Sequence, residues 1–391
     1  MQLIDQVDLA GKRVFIRVDF NVPLERGAIT DATRIDAALP TIRYARAHGG
    51  RVILASHLGR PKGKPDPALS LAPVAAVLAE RLGTPVPLAP DCVGSVTAAM
   101  VDGLRPGDVL LLENLRFHAE EEKNDESFSR ALAAPADVYI NDAFGTAHRA
   151  HASTVGMTRF VPVRAAGFLL QRECAYLGKV LAAPERPLVA ILGGAKVSDK
   201  IKVIRSLLGR VNALLIGGAM AYTFLRAEGR PTGRSLIEEA HIGLAGVLLR
   251  SARQAGVELL LPVDHVVADS PRAGSASAVV RDIPDDKIAL DVGPQTVERF
   301  RAVIATARTI FWNGPLGMFE VPPFDAGTIA VAAAIADSHA VSVVGGGDSV
   351  AAIMRSGRAA DISHISTGGG ASLEFLEGDP LPGLAALEEA T

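Results

Sequence analysis

Hydrophobic positions along the chain fall into short continuous runs, separated by longer segments in which apolar residues recur at helical spacing. Short apolar or β-branched runs are typical of buried strands, and helical spacing of apolar residues is typical of amphipathic helices. Their alternation predicts parallel sheets with crossover helices. The predicted strands are Val14–Val18, Val52–Leu54, Val109–Leu112, Val138–Ile140, Leu188–Leu192, Ala213–Ile216, Leu259–Leu261, Thr309–Trp312 and Val341–Val344.

A change in this pattern near the middle of the chain divides it in two. Residues 167–181 have apolar positions at helical spacing, and the alternation of strands and helices resumes only after Pro184 and Pro187. A chain of 391 residues is long enough for two or three domains of roughly 150 residues each. We therefore expect two α/β units in tandem, joined by a helical connector that holds them at a set distance.

The composition is that of a folded globular protein without a strong charge bias. The formal net charge is −3, from 40 Lys and Arg against 43 Asp and Glu, so a general affinity for nucleic acid or anionic membrane is not expected. Two cysteines are too few for a disulfide framework, and residues 1–5 lack the basic and apolar regions of a signal peptide. No apolar stretch reaches the roughly 20 uninterrupted residues of a membrane span. We expect a cytoplasmic protein with neither a nucleic-acid nor a membrane partner.

The first four predicted strands are each followed by Arg, His, Asp or Asn. Ligands of open α/β sheets bind outside the carboxyl ends of the strands, so these residues are candidates for a site. Arg60, Arg116 and Arg149, with Arg34 at the start of a predicted helix, are expected to converge there. Guanidinium groups pair bidentately with carboxylate and phosphate, so the pattern predicts a site for a compact polyanion.

Other polar residues at the same strand ends each have two alternative roles. Asp19 and Asn21 cannot attract an anion, so we assign them to hydroxyl groups of the ligand or to orienting the arginines. His57 and His151 can add hydrogen-bond donors, and for each the alternative is a purely structural histidine.

Glycine runs characterise the strand ends of the second half. Gly193 and Gly194 allow close backbone approach, and Lys196 and Lys200 are spaced four apart, which predicts that they share one face of the first turns of a helix. The free helix N-terminus and the two charges favour a phosphate ligand over the alternative of a solvated lysine pair. Neither a Walker A motif nor a dinucleotide glycine fingerprint is present in its required setting.

Three further glycine turns follow, at 217–220, 345–349 and 367–372. Any one of them can be an ordinary tight turn, but in the second the amides at a helix start can hold phosphate oxygens, while Asp348 offers a hard oxygen ligand to Mg²⁺. The segment Trp312–Glu320 supplies apolar surface for a nucleotide base and, in Glu320, an acceptor for ribose hydroxyls. Trp312 itself can instead belong to the core.

Taken together, eight separated motifs resemble the phosphoglycerate kinase family, in order and over essentially the whole chain. They are Arg17–Pro23, Ser56–Pro61, Glu113–His118, Ala147–Ser153, Gly193–Lys200, Trp312–Glu320, Gly345–Ser349 and Ser366–Glu374. The departures are small: Ser349 stands where many members have Thr, and Ala219 replaces a third Gly. Neither change removes a required charge.

The resemblance implies two Rossmann-like parallel-sheet domains joined by a helix, with a tail that packs back on the first domain. It implies a 3-phosphoglycerate-binding domain at 1–167, a connecting helix at 168–183, a Mg-nucleotide-binding domain at 184–370 and a returning tail at 371–391. It also implies a cytoplasmic monomer of glycolysis and gluconeogenesis. The reaction implied is the reversible, Mg²⁺-dependent transfer of a phosphoryl group from 1,3-bisphosphoglycerate to ADP, giving ATP and 3-phosphoglycerate.

The resemblance also implies residue roles. Contacts to 3-phosphoglycerate fall on Asp19, Phe20, Asn21, Arg34, His57, Leu58, Gly59, Arg60, Arg116 and Arg149. Nucleotide contacts fall on Lys200, Gly293, Glu320, Gly346, Gly347, Asp348 and Ser349, with Asp348 also beside the metal. The residues that stabilise the transferring group are Arg34, Lys196, Lys200, Gly347 and Gly369.

Two other classes of protein are alternatives to a phosphoglycerate kinase. A dinucleotide-dependent oxidoreductase would need the glycine fingerprint that is missing. A non-catalytic member of the family would have lost a critical charge, yet Arg34, Lys196, Lys200 and Asp348 are all present.

Overall fold

The computed structural model describes residues 1–388, and within them the chain forms two compact units. Within the described residues, unit 1 comprises Met1–Ala175 and residues 380–388, and unit 2 comprises Tyr176–Asp379. The boundary falls inside the helix Phe168–Ala182, where a helical connector is predicted. The last three residues of the predicted tail, 389–391, lie outside the described residues. Among residues 1–388, no helix is both long and apolar enough to cross a membrane.

Unit 1 is built on a five-stranded parallel sheet in the order β5-β4-β1-β6-β7, together with a short hairpin formed by β2 and β3. Its strands are β1 Arg13–Val18, β2 Leu24–Glu25, β3 Ala28–Ile29, β4 Arg51–Ala55, β5 Val109–Leu111, β6 Val138–Asp142 and β7 Val163–Ala166. Its helices are α1 Thr33–Ala47, α2 Ala72–Leu82, α3 Ser95–Asp102, α4 Ala119–Glu122, α5 Glu126–Ala133 and the first half of α6 Phe168–Ala182, which continues into unit 2.

Unit 2 has a six-stranded parallel sheet in the order β10-β9-β8-β14-β15-β16 and a three-stranded antiparallel sheet in the order β12-β11-β13. Its strands are β8 Leu188–Leu192, β9 Ala213–Ile216, β10 Glu258–Leu260, β11 His265–Ala268, β12 Ser277–Val280, β13 Ile288–Val292, β14 Thr309–Asn313, β15 Val341–Gly345 and β16 His364–Ile365. Its helices are α7 Ile201–Leu208, α8 Met220–Ala227, α9 Ile242–Gln254, α10 Pro294–Thr306, α11 Ala326–Asp337, α12 Gly347–Arg355 and α13 Gly370–Glu377.

After α13 the chain returns to unit 1 as α14, Pro382–Glu388. The amide of Gly383 donates to the carbonyl of Ala147 at 2.8 Å, and the amide nitrogen of the Asn141 side chain donates to the carbonyl of Gly383 at 3.3 Å. The first contact lies just beyond the carboxyl end of β6 and the second within that strand. The returning segment therefore supports the part of unit 1 where site residues are expected.

The predicted fold class is confirmed, and the central strands lie where the apolar runs predict them. Strands β1, β6, β8 and β14 are buried along nearly their whole length, because helices cover both faces of a parallel sheet. The apolar pattern of the sequence does not predict β2, β3, β7, β11, β12, β13 or β16. These are short, at an edge, or partly exposed, so they lack a continuous apolar run.

A buried carboxylate stands at a helix start in each unit. In unit 1, Asp142 Oδ1 accepts from the amides of Leu169 and Leu170 at 2.9 and 3.1 Å, in the first turn of α6. In unit 2, Asp291 Oδ2 accepts from the amide of Gly327 at 2.7 Å, in the first turn of α11. Burial raises the pKa of each carboxyl to about 7. Each therefore holds its proton more tightly than an exposed aspartate does.

Candidate active site

Arginine side chains of unit 1 gather around His57, at the carboxyl end of β4. Burial holds the pKa of His57 well below its usual range, and the charges of Arg17, Arg116, Arg34 and Arg149 lower it further. These four guanidinium groups therefore lie within electrostatic reach of one imidazole, which stays neutral at physiological pH. Of the four arginines predicted to converge, the structure brings Arg34, Arg116 and Arg149 together here.

Asp19 and Asn21 hold other parts of this cluster in place. The Asp19 carboxylate accepts from the Arg34 guanidinium, and its other oxygen lies 3.9 Å from His57 Nδ1. The Asn21 side-chain oxygen accepts from the amide of Gly59 at 2.9 Å. Asp19 thus orients an arginine, which is one of the two roles predicted for it.

Arg116 is the most enclosed of the predicted arginines, with a side chain that is only 5% exposed. Its Nη1 donates to the carbonyl of Gly59 at 2.9 Å, and its Nε lies 3.3 Å from the Glu122 carboxylate. Burial lowers the pKa of the Arg116 guanidinium. The backbone of Arg116 is held by buried Asn114, whose side-chain oxygen accepts from the Arg116 amide at 3.1 Å.

Arg60 differs from the other three, because its side chain is exposed. No hydrogen bond or ion pair of the Arg60 side chain occurs within residues 1–388. Phe20 and Leu58 are buried, and the Phe20 amide donates to Ser56 Oγ at 2.8 Å. These two residues contribute backbone and packing at the site.

A buried network that begins at Arg17, one of these arginines, is not predicted from the sequence. Arg17 Nε donates to Ser153 Oγ at 2.8 Å, and that hydroxyl donates to Glu121 Oε1 at 2.6 Å. Burial raises the pKa of Glu121, and the charge of Arg17 opposes that shift. His151, a predicted donor, lies 3.8 Å from Glu121 with its Nδ1 buried, and burial lowers its pKa to about 3. His151 is therefore neutral at the edge of this network.

A polar cavity of about 350 Å³ opens at the carboxyl ends of the unit 2 strands. Helices α12 and α13 both begin at it, and the positive ends of helix macrodipoles favour anions. Lys196 and Lys200 also line it. The remaining lining residues are Gly193, Gly194, Ala195, Asp199, Asn313, Gly314, Pro315, Gly346, Gly347, Asp348, Ser349, Gly369, Gly370 and Leu373.

The predicted placement of Lys196 and Lys200 on one helix face is wrong. Helix α7 begins only at Ile201, Lys200 closes a 3-10 turn, and Lys196 lies in the loop before that turn. The Glu238 carboxylate accepts from both the amide and the hydroxyl of Ser198, at 2.9 and 2.7 Å, and this contact accompanies the tighter turn. Both lysines nevertheless line the same cavity.

Lys200 is anchored by an asparagine that sequence analysis does not single out. Its Nζ donates to the side-chain oxygen of Asn313, and the Asn313 amide nitrogen donates to the carbonyl of Gly345 at 2.8 Å. Burial lowers the pKa of Lys200, while the charges of Asp199 and Asp348 oppose that shift. The ammonium group is thus held at a defined point in the cavity.

Glycine is required where two segments of this site meet. A Cβ atom on Gly193 would lie 2.1 Å from the carbonyl oxygen of Pro315, so any side chain would push the two strand ends apart. Gly346 has φ +91° just before α12, a conformation that L side chains rarely adopt. The cavity therefore depends on backbone that has no side chains to fill it.

A second, mainly apolar cavity of about 400 Å³ adjoins the first, and the two share Gly194, Ala195, Pro315 and Asp348. Tyr222, Leu236, Pro271, Leu290 and Met318 line it, and exposed Glu320 lies at its margin.

Two of the predicted nucleotide residues stand apart from these cavities. Trp312 is fully buried in the unit 2 core, and its Nε1 donates to the Gly314 carbonyl at 2.8 Å. Of the two roles predicted for it, it therefore has the one in the core. Within the described chain, Gly293 lines neither cavity. Its amide donates to the carbonyl of Asp264 at 2.9 Å, at the start of α10.

Comparison with known proteins identifies the family of this chain. The family model for phosphoglycerate kinase matches residues 4–379. The chain belongs to the phosphoglycerate kinase family. The chain is 59% identical to a phosphoglycerate kinase of Anaeromyxobacter sp. (strain K), with 100% of each chain covered. It is 61% identical to one of Solibacter usitatus (strain Ellin6076), with 98% of each covered.

Solved structures agree with the sequence relatives. The phosphoglycerate kinase of Coxiella burnetii superposes with a TM-score of 0.90 at 41% identity, covering 98% of each chain. That of Pyrococcus horikoshii OT3 gives 0.83 at 35% identity, covering 99% of this chain and 98% of the other. The resemblance seen in the sequence is therefore confirmed, and the activity is that of a phosphotransferase.

Proposed function

We propose that this member of the phosphoglycerate kinase family binds 3-phosphoglycerate or 1,3-bisphosphoglycerate on unit 1 and ADP or ATP on unit 2. The observation that carries the proposal is the polar cavity of unit 2, where two helix N-termini and two lysines face one space. That arrangement suits a chain of phosphates. The adjoining apolar cavity suits a nucleotide base, with Glu320 accepting from ribose hydroxyls.

The arginines around His57 would bind the phosphorylated acid. A phosphate and a carboxylate together need several donors, and Arg34, Arg116 and Arg149 offer planar forks that match both groups. Arg60 is exposed and would reach the ligand from the rim. Neutral His57 would contribute a hydrogen bond without adding charge.

The proposed reaction needs no general base. When ATP is the donor, the attacking group is a carboxylate, which is already ionised at neutral pH because carboxyl pKa values lie near about 4. Catalysis would therefore rest on alignment and charge. Negative charge spread over the equatorial oxygens of the transferring group would be stabilised by Arg34, Lys196 and Lys200 and by the amides of Gly347 and Gly369.

The residues at the unit 2 cavity fit a Mg²⁺ ion accompanying the nucleotide. Asp348 presents an exposed carboxylate in the first turn of α12, at the margin of both cavities. Carboxylate oxygen is the ligand type that Mg²⁺ prefers, usually with substrate phosphates as further ligands. When bound, the ion would neutralise phosphate charge, and Asp348 would hold it beside Lys200.

Transfer between ligands held on different units would require the units to close on each other. The ends of the connecting helix and the segment Thr367–Gly370 would serve as hinges. Binding of both ligands would favour the closed form, because only that form surrounds the transferring group with positive charge.

A coupled assay with 3-phosphoglycerate and Mg-ATP tests the reaction directly. We expect ADP formation that depends on both substrates, with no change in dinucleotide absorbance when the coupling enzymes are omitted. Small-angle scattering with and without both ligands tests closure and also reports the mass expected for a monomer. Absence of turnover with correct folding would contradict the reaction, and an unchanged radius of gyration would contradict closure alone.

A further inference from the structure

Three side chains of different chemistry meet in unit 1, outside the proposed acid site. Asp91 and Cys92 lie in the loop before α3, and His118 follows the 3-10 turn that contains Arg116. One ligand atom from each of the three side chains lies within 4.8 Å of the other two. Sequence separation between the loop and the turn hides this cluster from motif searches.

Hydrogen bonds already fix much of this cluster. His118 Nε2 lies 2.7 Å from Asp91 Oδ1, and the amide of Cys92 donates to the same oxygen at 2.6 Å. The hydroxyl of Thr97 donates to the Asp91 carbonyl at 2.9 Å, and the His118 ring stacks on Phe128 with 5.0 Å between centroids. The loop and the imidazole are therefore held in place before any ligand arrives.

The three groups form a mixed donor set of sulfur, nitrogen and oxygen. Thiolate and imidazole are the ligands that Zn²⁺ selects, often with a carboxylate, whereas Mg²⁺ prefers oxygen ligands alone. We propose that Asp91, Cys92 and His118 bind one Zn²⁺ or similar borderline-soft divalent cation, with water as the fourth ligand. The ion would link the loop before α3 to the turn that carries Arg116.

The distances suit such an ion after a small adjustment. Zinc bonds of about 2.0–2.3 Å in a tetrahedron place ligand atoms roughly 3.5 Å apart. The three ligand atoms here all lie within 4.8 Å of one another, and the separation between His118 Nε2 and Asp91 Oδ1, now 2.7 Å, must lengthen by less than about 1 Å. The Cys92 side chain is buried, whereas Asp91 and His118 are half-buried. The two half-buried ligands give an ion access from solvent, and the buried one shields its bond to sulfur.

Binding would exchange protons for metal bonds. Bonds form from the ion to Cys92 Sγ, His118 Nε2 and an Asp91 carboxylate oxygen. The S–H bond breaks and its proton is released to solvent, because the thiolate is the form that ligates a metal. Where His118 Nε2 carries the ring proton, that proton moves to Nδ1. No oxidant or reductant is involved.

Cobalt substitution tests the proposal, because Co²⁺ bound to thiolate gives a near-ultraviolet charge-transfer band. The chain has only two cysteines, Cys92 and Cys174, so each serves as the matched control for the other. Titration of the full-length protein with Co²⁺ should give the band in the parent and in Cys174→Ser. The band should be absent in Cys92→Ser. In His118→Gln the affinity for Co²⁺, read from the same titration, should fall at least tenfold. Zn²⁺ should abolish the band stoichiometrically, and excess Mg²⁺ should not.

Protection from alkylation gives a second measurement that does not depend on a variant. Zn²⁺ should slow labelling of Cys92 by iodoacetamide several-fold while labelling of Cys174 is unchanged, as read by peptide mass spectrometry. The proposal is overturned if the parent gives no band, if the band persists in Cys92→Ser, or if Mg²⁺ displaces the ion as readily as Zn²⁺. Equal labelling of Cys92 with and without Zn²⁺ overturns it as well.

Discussion

The candidate acid site of unit 1 is built from guanidinium groups, whereas the polar cavity of unit 2 is lined by glycines, helix N-termini and only two lysines. In unit 1, carboxylates and carbonyls such as Asp19 and Gly59 hold the arginine side chains in place. In unit 2, the backbone itself approaches the cavity, and Gly193 and Gly346 leave no room for side chains. The first site should therefore be damaged by removing atoms, and the second by adding them.

Lys196 and Lys200, which line the unit 2 cavity, are the exception to this contrast, and removing Lys200 should have the largest effect on activity. Lys200→Ala should lower kcat by about 10²–10³-fold, because a positioned charge facing the transferring group is lost. His57→Ala should lower kcat by about fivefold, because a neutral ring supplies one hydrogen bond. Steady-state assays with saturating substrates measure both.

Lys202→Ala is the matched control, since Lys202 is two residues away, exposed, and paired with Asp379. Its kcat should equal that of the parent. Comparable losses in Lys200→Ala and His57→Ala would contradict the assignment of roles.

Adding one carbon to the unit 2 site should have the next largest effect. Gly193→Ala should reduce the free energy of unfolding by about 1–3 kcal/mol and raise KM for ATP, because its Cβ would collide with the Pro315 carbonyl. Denaturant unfolding and initial rates measure the two effects. In Gly209→Ala the new carbon meets no atom within 4 Å, so both quantities should stay near the parent values. A silent Gly193→Ala would refute the contrast between the units.

A conservative change in unit 1 should have a smaller and more selective effect. Arg116→Lys should raise KM for 3-phosphoglycerate about tenfold with little change in kcat, because a lysine cannot make the bidentate contacts of a guanidinium. Arg130→Lys, at an exposed pair with Glu126, should leave KM unchanged. A fall in kcat without a change in KM would mean that Arg116 contacts the transferring group instead of the acid.

The buried carboxylates, one in each unit, offer a test through stability alone, with the smallest expected effect on activity. The pKa of Asp142 and Asp291 is about 7 in the fold and about 4 in an unfolded chain, so the folded state keeps protons that the unfolded state releases. Each group therefore makes the protein less stable as pH rises from about 4 to 7. The depressed pKa values of His57 and His151 act in the opposite direction, so variants must be compared with the parent.

From about pH 4 to pH 7, the free energy of unfolding of Asp142→Asn, measured in urea, should rise relative to that of the parent by on the order of 1 kcal/mol per pH unit. Asp291→Asn should behave in the same way, although it lies in the other unit. Parallel pH profiles for parent and variants would show that the carboxyls titrate normally.

Sequence patterns predict the long buried strands and the charged residues at their ends, because both are local features. They do not reveal what holds those charges in place. Lys200 is 113 residues from its partner Asn313, and Arg17 is 136 residues from Ser153. The predicted helix face shared by Lys196 and Lys200 is wrong, and the turn found there also has a distant partner. Ser198 in that turn donates to Glu238, which is 40 residues further along the chain.

The return of α14 to unit 1 has a consequence for how the protein is made. A ribosome translating this message reaches Pro380 only after all of unit 2 has been synthesised. Until then, the Ala147 carbonyl and the Asn141 side chain lack the Gly383 backbone that pairs with them. The part of unit 1 translated before unit 2 thus waits for a segment translated after it, and a nascent chain stalled before residue 380 would expose an incomplete surface to chaperones.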